Sequence, residues 1–295
     1  MKKILCIMCA MVAFASCSKE SLPTTSGQNP DGSYTFNIGI EKPDYAPQTR
    51  AVVMGRYMLE MYEGNLAATP VKMSNTTGSF NVELKRGVDY VCLFWADDGA
   101  KNYNAESLQA VKQTAETALG TAAYCARVTV NSNNFNGAIT LQHAVAELSF
   151  IDKNGLTKAT NALRITYPYT SATLNVGDGT VTHVAGETVR TITNITPPAD
   201  KTTAFAADFI LAPTAAGKLT GLKFQLNSEQ VNTIAETVIQ ANYRTKITGE
   251  FQPKPPKVGD FYYKNGNWSS IYAAATDNPC IGIVFVMNAD GKTGK

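Results

Sequence analysis

The chain has 295 residues, of which 44% are hydrophobic and 17% are charged. This length allows one large domain or two ordinary ones, and this composition is typical of a globular protein with a sizeable core. Without Lys2 and Lys3, which we expect to be removed, the 26 basic residues become 24 and equal the 24 acidic residues. Binding to nucleic acid therefore has no electrostatic support, and we predict no nucleic-acid partner.

Residues 1–16 have the layout of a secretory signal peptide. Two lysines precede an apolar run at residues 4–14, which is too short to span a membrane, and two small residues precede Cys17. This arrangement resembles the lipobox of bacterial lipoproteins, in which the cysteine is acylated. We expect a lipid anchor at Cys17, and residues 17–20 resemble a surface-export tag. The alternative is an ordinary signal peptide that is cut elsewhere.

No catalytic arrangement can be identified in the chain. The remaining cysteines, Cys92, Cys125 and Cys280, show no metal-binding spacing, and His143 and His183 are isolated. There is no glycine-rich phosphate loop and no nucleophile elbow. We therefore predict a protein without enzymatic activity, metal or cofactor.

Ordered structure is expected from residue 34, after a polar tether at residues 17–33. A half-buried strand is predicted at residues 34–40, because apolar residues alternate there with polar or small ones: Tyr34, Phe36, Ile38 and Ile40. A proline-containing loop follows and ends at Arg50. Such a loop could be cut by a protease, and an ordinary solvated arginine is the alternative.

The rest of the first half predicts further strands and one helix. Residues 90–95 form a continuous apolar run typical of a buried strand, and Trp95 at its end is either a core residue or a sugar-stacking platform. Residues 106–119 have apolar residues at helical spacing and predict a surface helix with a narrow apolar stripe, with an irregular surface excursion as the alternative.

The stretch at residues 139–151 divides two similar halves of the chain. Ile139 and Leu141 are apolar on one parity, whereas Leu148 and Phe150 are apolar on the other. This change of phase predicts either a bulge or a strand that is covered on both faces between two packed lobes.

Seven short strands are predicted in the second half, so two β-sandwich domains are expected at residues 34–151 and 152–251. A proline-rich linker at 252–257 leads to a β extension at 258–295, in which Asn265-Gly266 predicts a hairpin turn. The extension ends in an apolar strand at residues 280–287, which is either a donor strand for another molecule or part of a truncated module. If it is a donor strand, the side chains on one of its faces would fill a groove in the partner molecule: Ile281, Ile283, Phe285 and Met287.

Five features together resemble the fimbrillin family of type V pilus subunits and fimbrillin-like outer-membrane lipoproteins. They are the lipobox at Cys17, Arg50-Ala51 after the first strand, Phe94-Trp95-Ala96, His143-Ala144-Val145-Ala146, and residues 242–249 (NYRTKITG). The resemblance implies two tandem transthyretin-like Greek-key β-sandwich domains and export as a lipoprotein. It also implies cleavage between Arg50 and Ala51, displacement of strand 34–40, and replacement of that strand by a strand of another subunit.

The leading hypothesis is a non-enzymatic structural or adhesion subunit of a cell-surface fimbria. The C-terminal extension favours an accessory or tip subunit over a shaft subunit. The expected partners are other fimbrial subunits, the outer membrane through the lipid, and a surface glycan or protein. The alternative is a surface-anchored lipoprotein that binds glycans, with Trp95, Trp268 and the tyrosines as candidate stacking residues.

Overall fold

The computed structural model describes residues 28–41, 54–100, 102–114, 120–156, 159–227, 229, 231–252, 257–264, 268–269, 272, 276 and 279–286. These residues contain β-strands and no helix, so the prediction of an all-β protein is confirmed. Within them, no helix exists that could cross a membrane.

Among the residues that the structure describes, the first half of the chain contains nine strands and the second half seven. Those of the first half are β1 (Tyr34–Ile40), β2 (Arg56–Glu63), β3 (Val71–Asn75), β4 (Ser79–Val82), β5 (Asp89–Asp97), β6 (Tyr103–Asn104), β7 (Val111–Thr114), β8 (Tyr124–Asn131) and β9 (Ala138–His143). Seven of these form one sheet in the order β3-β2-β5-β8-β9-β1-β4. Only two residue pairs join β8 to β9, at Tyr124–His143 and Cys125–Gln142.

The second half contains seven further strands. They are β10 (Val145–Asp152), β11 (Asn161–Asn175), β12 (Thr180–Ile195), β13 (Ala206–Leu211), β14 (Gly217–Leu226), β15 (Asn232–Ile239) and β16 (Arg244–Gly249). One sheet has the order β13-β10-β16, and a second has β15-β14-β11-β7-β6 with β12 on the other edge of β11.

The two halves share one strand topology. In each half the first strand lies between an antiparallel strand and the last strand of that half, which runs parallel to it. The order β9-β1-β4 thus corresponds to β16-β10-β13, and β3-β2-β5-β8 corresponds to β12-β11-β14-β15. Strands β6 and β7 have no counterpart in the second half and are an insertion between β5 and β8.

The apolar run at residues 90–95 lies in β5 and is buried on both faces. Tyr90, Cys92 and Phe94 belong to a first core, which fills the space between β2, β5 and β8 on one side and β1, β4 and β9 on the other. Leu93 and Trp95 belong to a second core, which extends through the sheets of the second half. The sequence prediction of a buried strand here is confirmed.

The helix predicted at residues 106–119 is wrong over the described residues. Val111–Thr114 form β7, which pairs with β6 and with the far end of β11. Leu108 and Val111 are fully buried in the second core, so this segment is no surface excursion. The helix-like spacing reflects burial between the two halves.

The change of phase at residues 139–151 marks a change of sheet. β9 alternates between buried and exposed residues beside β1, whereas all eight residues of β10 are buried. Of the two alternatives, the strand covered on both faces is the one found. β10 pairs with β13 and β16, so the chain enters the second half at Ala144, earlier than the expected division at 151/152.

A small fourth sheet follows residue 257. It consists of β17 (Phe261–Tyr263), β18 (Trp268–Ser269) and β19 (Cys280–Ile283) in the order β18-β17-β19. β17 and β18 pair antiparallel, as expected for a hairpin, and the predicted turn residues Asn265 and Gly266 lie outside the described residues.

Candidate functional site

The predicted first strand is present with the expected bounds, and it is a central strand rather than an edge. Its N-terminal part, Tyr34–Asn37, pairs with β4, and its C-terminal part, Asn37–Ile40, pairs with β9. Two backbone hydrogen bonds at the crossover run from Asn37 N to Gly137 O at 2.7 Å and from Ile38 N to Gly78 O at 2.9 Å. Each neighbour therefore holds only about half of β1.

Two aromatic side chains fix β1 in the first core. Phe36 is fully buried, and its ring centroid lies 5.2 Å from that of Phe94 and 5.0 Å from that of Phe135. Tyr34 is also buried, with its ring 5.0 Å from Phe135. Ile38 and Ile40 are only partly buried against the same core. The apolar anchoring of β1 is thus concentrated at its N-terminal end.

The outward face of β1 is polar and accessible to water. Thr35 Oγ1 donates to Asn81 Oδ1 at 2.8 Å and accepts from Asn29 Nδ2 at 2.9 Å. Glu41, directly after the strand, accepts a hydrogen bond from Gln142 Nε2 at 3.2 Å. Because water competes for such exposed groups, each of these bonds adds little to the stability of the strand.

Several predicted site residues lie outside the described part of the chain. They are the lipidation candidate Cys17, the cleavage candidates Arg50 and Ala51, and Met287 of the candidate donor strand. In chain order, however, Arg50 and Ala51 lie between β1, which ends at Ile40, and β2, which begins at Arg56. A cut between Arg50 and Ala51 would remove the covalent connection between β1 and the rest of the protein.

The candidate donor strand is open on one face. Ile281, Ile283 and Phe285 are 59%, 53% and 69% exposed, whereas Val284 on the other parity is buried. β19 pairs with β17 and, within the described residues, lies at the edge of its sheet. An apolar face next to a sheet edge is typical of a strand that binds another strand.

Trp95 is wrong as a sugar-stacking platform. Its side chain is 0% exposed, it donates from Nε1 to Asp97 at 2.7 Å, and its ring lies 5.4 Å from that of Tyr103. Asp97 is also buried and binds Arg56 through both carboxylate oxygens. The other candidate, Trp268, lies in β18, and its side chain is outside the described residues.

The two histidines lie in different environments and in different sheets. Burial lowers the pKa of His143 to about 4, against a smaller opposite effect of Glu147. The ring of His143 is 4.4 Å from that of Tyr124. His183 stacks on Tyr169, and burial lowers its pKa too. In the part of the chain that the structure describes, no group of three histidine, cysteine or acidic residues could hold a metal ion.

A buried polar network in the second half has no clear signal in the sequence. Asp208 is fully buried and accepts hydrogen bonds from Arg190 Nη1 at 2.8 Å, Tyr167 Oη at 2.7 Å and Gly120 N at 2.8 Å. A Cβ at Gly120 would lie 1.8 Å from the carbonyl oxygen of Phe209, so only glycine fits there. The network joins the residues that follow β7 to β11, β12 and β13.

Several solved structures resemble the chain in fold. A putative adhesin from Bacteroides ovatus has 12% identity and a TM-score of 0.45, covering 72% of this chain and 80% of its own. A putative cell adhesion protein from Bacteroides ovatus has 14% identity and a TM-score of 0.43, with coverages of 86% and 98%. The fimbrial anchor protein Mfa2 from Porphyromonas gingivalis has 12% identity and a TM-score of 0.42, with coverages of 70% and 81%.

At the level of sequence, no curated protein matches the chain. Residues 26–258 match the family of unknown function DUF6562, and this match includes β1 through β16 and stops before β17. The chain therefore belongs to the family DUF6562.

Proposed function

We propose that the protein is a non-enzymatic adhesion subunit of a cell-surface fimbria that assembles by exchange of β1 for a strand of another subunit. The observation that supports this most directly is the position of β1. It is central in its sheet, only two of its residues are buried, and the chain that ties it to β2 contains Arg50. Loss of β1 would leave a groove between β4 and β9 that another strand could fill.

In this proposal the two halves are transthyretin-like Greek-key sandwiches, in keeping with their shared strand order. Cys17 carries the lipid that holds the protein at the outer membrane until an arginine-specific protease cuts at Arg50–Ala51. The extension that carries Ile281, Ile283 and Phe285 lies beyond the family match and favours an accessory or tip subunit.

A disulfide that locks β1 to β4 tests the exchange. Thr35 and Asn81 are directly opposite each other, so cysteines at both positions have the spacing for a disulfide. The parent is a soluble form beginning at Ser18. After cleavage by an arginine-specific protease, the unlocked protein should lose the fragment that contains β1 and form oligomers in size-exclusion chromatography.

The locked Thr35→Cys/Asn81→Cys protein should be cut but should keep β1 and stay monomeric until it is reduced. Thr220→Cys/Glu236→Cys is the matched control, since it locks an opposite pair on β14 and β15. This control should assemble like its parent. Oligomers formed equally well with β1 locked would contradict strand exchange.

Lipidation has a separate test. Metabolic labelling with a palmitate analogue should tag the full chain, and Cys17→Ser should abolish the label and release the protein from the membrane fraction. Equal labelling of both proteins would refute acylation at Cys17 without affecting the exchange proposal.

A further inference from the structure

A cleft lined by polar and apolar groups lies where the two halves of the molecule meet. It has a volume of about 530 Å³ and is formed by β8, the end of β9, the β11–β12 turn and the β15–β16 turn. This volume falls within the range of about 300 to 1,000 Å³ typical of small-molecule sites. The apolar anchors of β1, Tyr34 and Phe36, lie in the first core and do not line the cleft.

The charges in the cleft balance. Among its lining residues, Arg127 and Asp178 carry opposite charges, and His143 is neutral at pH 7 because burial lowers its pKa to about 4. Arg127 Nη1 donates to Gly177 O at 2.9 Å, and the Asp178 carboxylate accepts hydrogen bonds from Thr180 and Asn175. A charged ligand would therefore gain no net attraction, whereas a neutral polar ligand would need no counter-charge.

The remaining groups suit a ligand rich in hydroxyls. Gln142 is exposed and lines the cleft, and its amide offers two donors and an acceptor, of which one donor binds Glu41. The Arg127 guanidinium has further N–H donors, and the Asp178 carboxylate is an acceptor. Planar groups of this kind bind pairs of neighbouring hydroxyls with two hydrogen bonds.

An aromatic ring completes the cleft. Tyr243 lines the cleft, lies directly before β16 and is 57% exposed. An exposed tyrosine ring offers a flat apolar surface with a polar tip. The C–H face of a sugar ring is the complementary surface, whereas an extended peptide has no equivalent flat apolar face.

We propose that this cleft binds a neutral saccharide, with the Tyr243 ring against the sugar face and with Gln142, Arg127 and Asp178 on its hydroxyls. Of the aromatic residues that the sequence suggested for glycans, the site uses a tyrosine and neither of the two tryptophans. The cleft is present while β1 occupies its groove.

Saturation-transfer NMR on the form of the protein that begins at Ser18 tests this site. The probes are the methyl glycosides of glucose, galactose, mannose, fucose and N-acetylglucosamine, with sialic acid as an anionic comparator and trialanine as a peptide comparator. At least one neutral glycoside should show saturation transfer. Tyr243→Ala should weaken its binding about tenfold, as expected for the loss of an aromatic contact. Gln142→Ala should weaken it as well.

Tyr272→Ala is the matched control, because Tyr272 is 58% exposed and lies outside the cleft. It should bind like the parent, and all variants should keep the parent melting temperature. Three results would overturn the proposal: no transfer to any neutral glycoside, transfer to sialic acid or trialanine alone, or binding unchanged by Tyr243→Ala. Because the assay uses uncleaved monomer, its failure would leave the strand-exchange proposal standing.

Discussion

β1 and β10 occupy the same place in the two halves but are held very differently. Each is the middle strand of three, with one antiparallel and one parallel neighbour. β10 is buried at every residue and pairs along most of its length with both neighbours, whereas β1 is mostly half-buried and each neighbour pairs with only part of it. Two strands in the same topological position can therefore differ in how firmly they are held.

The second face of the strand makes much of the difference. On β10 that face carries Glu147 and Ser149, and Arg244 covers them by binding both carboxylate oxygens of Glu147 at 2.8 and 3.1 Å. The corresponding face of β1 is open. In addition, only Ala144 separates β10 from β9, so β10 could not leave without pulling on its neighbour. The comparison shows that β1 is held less firmly than β10, as the proposed exchange of β1 requires.

The largest expected effect concerns the strand next to β10. Asp208 lies opposite Leu148 of β10, and Asp208→Ala would leave the Arg190 charge buried without its partner. We expect a loss of about 3 to 5 kcal/mol in the free energy of unfolding, measured by denaturant titration. The control Glu236→Ala breaks an exposed pair with Lys218 and should cost less than about 1 kcal/mol. Equal costs would mean that the buried network does not secure the second half.

Removing a buried ring from β1 should destabilise the first half alone. Phe36→Ala removes a fully buried ring and should cost about 3 kcal/mol, near the lower end for such changes, because half of β1 is accessible. Thr35→Ala on the outward face should change stability by less than about 0.5 kcal/mol. Limited proteolysis of Phe36→Ala should cut the first half sooner and leave β10 protected. Faster cutting in β10 as well would show that the two halves unfold as one unit.

His143, at the end of β9, makes stability depend on pH. Its pKa is about 4 in the folded protein, below the ordinary value of 6.5, so the unfolded chain binds a proton first as the pH falls. Stability from neutral His143 is present above pH 6.5 and is lost between pH 6.5 and about 4, by at most about 3 kcal/mol. His143→Gln should flatten this slope in urea titrations at several pH values. His183→Gln should flatten it less, because burial lowers the pKa of His183 by less than that of His143, and an unchanged slope in His143→Gln would contradict this assignment.

The sequence predicted local strands well and long-range placement poorly. Period-two alternation identified β1, and a continuous apolar run identified β5, because both signals arise from which face of a strand is buried. The helix prediction for residues 106–119 was wrong because Leu108 and Val111 are buried by contacts with strands that are distant in the chain. Burial of such a segment imitates the spacing of a helix.

The candidate sites show the same limit. The strand that the proposed exchange would displace could be predicted as a strand, because its residues are contiguous and alternate between apolar and polar or small. The cleft could not, because Arg127, Gln142, Asp178 and Tyr243 come from four separate segments. Nothing in the sequence distinguishes Tyr243 from other tyrosines, and only the fold places it beside the other three residues.

Native-state hydrogen exchange, read by mass spectrometry under increasing denaturant, tests the difference between β1 and β10 most directly. The amides of β1 should exchange through a local opening whose free energy lies clearly below that of global unfolding. The amides of β10 should exchange only when the whole protein unfolds. Equal protection of the two strands at the global free energy would contradict the claim that β1 is the replaceable strand of this fold.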